Sequence, residues 1–216
     1  MSGALALDEF LESQPKRVHK SHRKLARVVR EAYPIGVPAL IMKSSTDRLG
    51  ASAGYSFHLG TPDDILRRIA SWLITHANNN QDVLWSLVRN LWSRHGREDV
   101  ALSALLLANL DHKGAGTDPW DLLSSLINAR EPADALLLSI EEVLRAGHGG
   151  PSDVQYRSWC SGRKVQTHLA LISAFASQNS GLDISPEIVA LLQVVDVPDG
   201  DSLLGRIRAR FSEVEP

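Results

Sequence analysis

Apolar residues recur along most of this chain at intervals of three and four, the period of a helix with one buried face. No run alternates with the period of two that a half-buried strand requires. The pattern predicts an all-α protein. It places helices over about 61–77, from Asp82 onward, and over about 97–111, 119–129, 132–146, 152–161, 164–178, 186–195 and 201–212. Between them lie Asn78 to Asn80, Gly114 to Gly116, Pro132, Gly147 to Pro151, Gly181 and Pro198, residue types that end helices or open turns. Thr61, Pro62, Asp63 and Asp64 together make a helix start. They offer a capping hydroxyl, a proline whose missing N–H costs nothing there, and two acids on the positive end of the helix dipole.

Consecutive helices joined by short connections form units of about 35–45 residues, which favours an α-solenoid of HEAT-like antiparallel helix pairs over an irregular bundle. An internal echo supports it. Leu91-Trp92-Ser93 followed by Arg97 is matched by Ser158-Trp159-Cys160 followed by Arg163, with the tryptophans 67 residues apart. The chain therefore reads as a single HEAT-like domain over 1–216, with N-terminal basic helices over 1–43, a loop over 44–61 and helical repeats over 62–213. The loop is assigned because glycines, Ser/Thr residues, Tyr55, Phe57 and His58 interrupt the helical period there.

Composition agrees with a folded globular chain: of 216 residues, 44% are hydrophobic and 22% charged, which excludes disordered and fibrous classes. The strongly apolar stretch from Leu102 to Leu110 is far shorter than the ~20 residues a bilayer requires, and Met1 to Phe10 lacks the basic start of a secretory signal. The single cysteine, Cys160, excludes an internal disulfide and fits a reducing compartment, so the expected location is cytoplasmic, with no membrane contact.

The formal net charge is −2, but its distribution is uneven. Residues 14–30 hold seven basic side chains and no acid, leaving sixteen basic against twenty-five acidic residues elsewhere. Lys16, Lys20, Arg23, Arg27 and Arg30 recur at spacings of 4, 3, 4 and 3, which on one continuous helix forms a single cationic stripe. Val18, His22, Leu25, Val29 and Tyr33 form a second face that docks on the body. Such a stripe suits phosphate binding, and it equally suits a solvated face that offsets the acidic remainder. Of the five tryptophans, Trp85 and Trp92 share a helix face as packing residues, whereas Trp120 and Trp159, near helix ends, are candidates for ligand contact. The eight histidines show no ligand spacing, and no phosphate-cradling glycine loop or nucleophile elbow is present, so neither metal nor cofactor is expected.

Tyr33-Pro34-Ile35-Gly36-Val37-Pro38, Leu91-Trp92-Ser93 with Arg97-Glu98, Asp118-Pro119-Trp120-Asp121-Leu122, and Trp159 to Ala174 together resemble segments of the AlkD-like DNA alkylation repair glycosylases, over about residues 15–175. The resemblance implies a HEAT-like solenoid on duplex DNA. It also implies an aspartate four residues after Trp120, where a carboxylate would stabilise positive charge on the deoxyribose as an alkylated base leaves. This chain has Ser124 there. The family's phosphate-holding arginine and the tryptophan three residues before it correspond to His168 and Val165, and its base-stacking aromatic has no counterpart over 185–197. The expected function is therefore DNA binding through phosphate contacts without normal base excision. Lys16, Lys20, Arg23, Arg27, Arg30, Trp120, Trp159 and Arg163 are the candidate contacts. The alternatives are an active glycosylase with a rearranged cleft, using Asp121 and His168, and a solenoid scaffold for a protein partner.

Overall fold

A computed structural model describes residues 3–48, 54–77, 80–129, 131–198 and 202–212. Of these, 72% are helical and none lies in a strand, so the protein is all-α. None of its helices is long and apolar enough to cross a membrane, among the described residues. The chain divides into two compact units, one ending at Asp111 and the other beginning at His112.

The first unit comprises α1 (Gly3–Glu12), a 310 turn (Lys16–Lys20), α2 (His22–Ala32), α3 (Ala39–Arg48), α4 (Asp63–Ala77), α5 (Asp82–Arg94) and α6 (Arg97–Asn109). Its centre is α6, in which every residue from Glu98 to Ala108 is buried. A helix apolar nearly all round must be enclosed by others, and α4 and α5 pack on it while α2 packs on α5. Leu25, Val29, Ile69, Leu73, Leu87, Leu91, Leu102 and Leu106 fill the space between them with essentially no solvent exposure. Each such side chain contributes about 1.5–3 kcal/mol by leaving water.

The second unit comprises α7 (His112–Ala115), α8 (Pro119–Leu126), α9 (Ala133–Arg145), α10 (Asp153–Cys160), α11 (Lys164–Asn179), α12 (Pro186–Gln193) and α13 (Leu203–Ser212). Here α11 is central, with Leu169 to Ala174 buried, and α9, α10 and α13 pack on it. The helix starts are chemically specified. Asp118 accepts hydrogen bonds from the amides of Trp120 and Asp121 ahead of Pro119, and Ser152 with Gln155 forms a reciprocal cap on α10.

Three sequence expectations need correction. The basic segment is not one helix: it is a 310 turn and α2 separated by Ser21, whose backbone is extended (φ −150°, ψ 115°) so that its hydroxyl caps α2. Helical spacing does not carry through that break. The loop placed over 44–61 is helical up to Arg48; its central residues 49–53 lie outside the described ones, as do Asn78 and Asn79 of the α4–α5 turn. The helix placed from Thr61 starts at Asp63, with both acids in its first turn, and the Thr61 hydroxyl donates to the Tyr33 carbonyl at 3.0 Å.

Candidate functional site

Burial divides α2 into two faces. Leu25, Ala26, Val28 and Val29 are buried, while Arg23, Lys24 and Arg27 are exposed. The exposed side chains line a groove of about 490 Å³ between α2 and the segment Gln14–Val18, where Arg17 joins them from the 310 turn. Val18 and Val28 supply apolar wall, and Glu31 is the single carboxylate along it. None of the four cations forms an ion pair among the described residues. The first turn of α2 carries His22, Arg23 and Lys24 and no acid. Cations at that end oppose the helix dipole, an arrangement that costs stability. The groove is thus a concentration of positive charge that the fold itself does not neutralise.

The predicted stripe is therefore regrouped. Arg23 and Arg27 line the groove, and the structure adds Arg17 and Lys24 to them. Lys16 and Lys20 are exposed but outside its lining. Arg30 turns away, its guanidinium 3.4 Å from the centre of the Phe57 ring, a cation–π contact that ties α2 to the 54–61 segment.

A buried polar network holds the opposite face of α2. Asp99, fully buried, accepts from the Tyr33 hydroxyl at 2.9 Å and from Arg94 Nε at 2.8 Å, and is also bonded to Arg94 Nη2. Arg94 Nη1 donates to the Ala26 carbonyl of α2 at 2.7 Å. Burial, followed by the charge and hydrogen bond of Asp99, pushes the Tyr33 phenol well above its ordinary range. Burial alone would lower the Arg94 pKa, but its hydrogen bond and attraction to Asp99 raise it, so the guanidinium stays charged. Beside it the Oε1 of buried Glu98 accepts from the amides of Leu59, Gly60 and Thr61 at 2.8, 2.9 and 3.4 Å. Ser56 and Phe57 exchange backbone bonds with His95 and Arg97, and a Cβ on Gly96 would come within 2.0 Å of the Phe57 ring. The 54–61 segment is thereby stitched to the α5–α6 turn.

Around α8 the polar groups are satisfied within the fold. Trp120 is buried and its Nε1 donates to the Gly149 carbonyl at 2.8 Å. Trp159 is buried edge-on to Tyr156, with ring centres 6.0 Å apart. Neither ring opens to solvent as ligand contact would require. Gln166 donates to the Ser124 hydroxyl at 3.2 Å, so α8 and α11 do meet at the position of the expected carboxylate. Asp121 is exposed and accepts from Gln155 Nε2 at 2.8 Å, which also donates to Asp118 at 2.9 Å. His168 is within 3.3 Å of the Asp196 carbonyl. Burial first, and then Lys164, hold its pKa below the usual histidine value despite that carbonyl, so the ring is neutral at pH 7. Arg163 is exposed at the start of α11, its side chain directed to Gln166. Cys160 is half-buried, and burial raises its thiol pKa.

Comparison with protein-family models, curated proteins and solved structures finds no match.

Proposed function

We propose that this protein binds duplex DNA through its phosphate backbone, without excising bases, by means of the groove between α2 and the 310 turn. The observation that carries the reading is the convergence of Arg17, Arg23, Lys24 and Arg27 on one concavity with no ion-pair partner among the described residues. Charges of one sign lining a concavity raise the local concentration of a polyanion, and each phosphate they neutralise releases counterions. The backbone is the part of DNA that such a surface engages without reading sequence. The chain is proposed to be a HEAT-like helical array related to the AlkD-like glycosylases; in support, Tyr33 and the Arg97-Glu98 segment, from two stretches of the resemblance, lie in neighbouring parts of one buried network. The absence of excision is supported by Ser124, a neutral hydroxyl bonded to Gln166 where fixed negative charge would be needed. His168, neutral at pH 7, offers no cation to a phosphate there.

Replacing Arg23, Lys24 and Arg27 together by glutamate tests the reading. Duplex affinity should fall by about 100-fold or more, while the thermal midpoint should hold or rise slightly, because acids in the first turn of α2 suit its dipole. Unchanged affinity in this variant, or no duplex binding by the wild type, would reject the groove as a DNA site. In the latter case a protein scaffold becomes the better reading.

A further inference from the structure

The 310 turn that supplies Arg17 to the groove is attached to α4 through aromatic rings. His19 stacks on His76, with ring centres 4.8 Å apart and planes 11° from parallel, and lies 4.6 Å from Trp72. Trp72 and His76 are themselves 5.2 Å apart, one turn along α4. His76 Nδ1 donates to the Trp72 carbonyl at 2.8 Å, which leaves Nε2 as the nitrogen that can take up a proton. The Trp72 indole N–H is buried with no acceptor among the described residues. Ring contact holds the three side chains together. Parallel stacked rings direct their in-plane lone pairs side by side rather than toward a common point, so the pair is no chelate. Among the described residues no group of three or more His, Cys, Asp or Glu is placed to hold a metal ion.

The charged surroundings make acidification consequential. On the 310 turn the neighbours of His19 are Lys16, Arg17 and Lys20, and the first turn of α2 brings His22, Arg23 and Lys24. On α4, Arg68 stands one turn before Trp72, but it is committed to Asp8 of α1 at 2.8 Å. Among the described residues, the charged group that acts on His19 is His76. A second proton on such a stack therefore meets another imidazolium.

We propose that the His19–Trp72–His76 stack is an acid-sensitive catch on the phosphate groove, holding the 310 turn and its Arg17 against α4 when both imidazoles are neutral and releasing them when both are protonated. This rests on the reading of the groove as a phosphate site. Burial, followed by repulsion from His76, keeps the His19 pKa below its ordinary value. Because the folded value lies below the unfolded one of about 6.5, the contribution of the catch is complete above that pH and is lost as pH falls through the lowered value. Simple electrostatics has the opposite sign, since extra positive charge tightens phosphate binding in acid.

The test measures binding of the full chain to a fluorescent 20-base-pair duplex at pH 7.5 and 5.5 and fixed ionic strength, for the wild type and for His76→Phe, which keeps a stacking ring but takes no proton. Amide NMR signals of Arg17–Lys20 are followed over the same range. The wild type should bind about fivefold more weakly at pH 5.5, at the low end of coupling between linked sites, and its turn amides should shift together. His76→Phe should keep its affinity at pH 5.5, with the amide shift confined to His19 and its immediate neighbours rather than shared by the whole turn. Tighter wild-type binding in acid, an equal drop in His76→Phe, or unmoved amide signals would overturn the proposal. If the duplex is bound at neither pH, the phosphate reading fails and the amide signals alone decide the catch.

Discussion

The two faces of α2 handle positive charge in opposite ways. Toward α5, Arg94 is locked to Asp99 and to the Ala26 carbonyl, each of its three nitrogens donating to one of them. Toward the groove, Arg23, Lys24 and Arg27 stand with Arg17 and, among the described residues, no paired carboxylate. Paired charge positions the helix, whereas unpaired charge is what a polyanion can use. The polar groups around α8 follow the first pattern: Asp121, Ser124 and Trp120 are each bonded within their unit.

This contrast breaks most visibly at its paired side. Asp99→Ala leaves a buried phenol without its acceptor and a half-buried guanidinium without its carboxylate, and chemical denaturation should show a loss of about 3–5 kcal/mol; the protein that remains folded should keep its duplex affinity. Arg30→Ala, which removes the cation–π contact with Phe57, should cost about 1–2 kcal/mol in the same measurement and leave DNA binding within about twofold. Lys16→Glu with Lys20→Glu reverses two cations outside the groove lining and should weaken the duplex by about threefold or less, well short of the groove triple variant. An equal loss in the two variants would mean that charge anywhere in the segment suffices. The smallest effect is expected at Ser124. In a methylated-purine release assay the wild type should run at the spontaneous rate, and Ser124→Asp should gain little, because neutral His168 still supplies no fixed cation. Wild-type release clearly above background and abolished by Asp121→Asn would favour the rearranged cleft.

Helix content and most helix positions were legible because their signals are local. Asp118-Pro119, Ser152 with Gln155, and Ser185-Pro186 mark starts within a few residues, and the apolar period marks the buried face. The break at Ser21 was hidden because the cationic spacing continues across it, although the backbone there is extended. Pairwise burial across the fold leaves no periodic trace. Glu98 and Asp99 look like ordinary first-turn acids, yet both are fully buried by partners 38 and 66 residues away in sequence. Trp120 and Trp159, at helix ends, were read as available for contact, and tertiary packing buries both. The groove was half legible. Arg23 and Arg27 follow from spacing and Lys24 shares their exposed side of α2, but Arg17 joins them only because the chain turns at Ser21.

The central claim is that the unpaired cations of the groove neutralise phosphates, and the most direct measurement is duplex affinity across a salt series. Four such contacts predict that log K falls against log salt with a slope of about −3 to −4, and that the Arg23, Lys24 and Arg27 charge reversal flattens the slope to about −1. An affinity independent of salt, or a slope identical in wild type and variant, would contradict it.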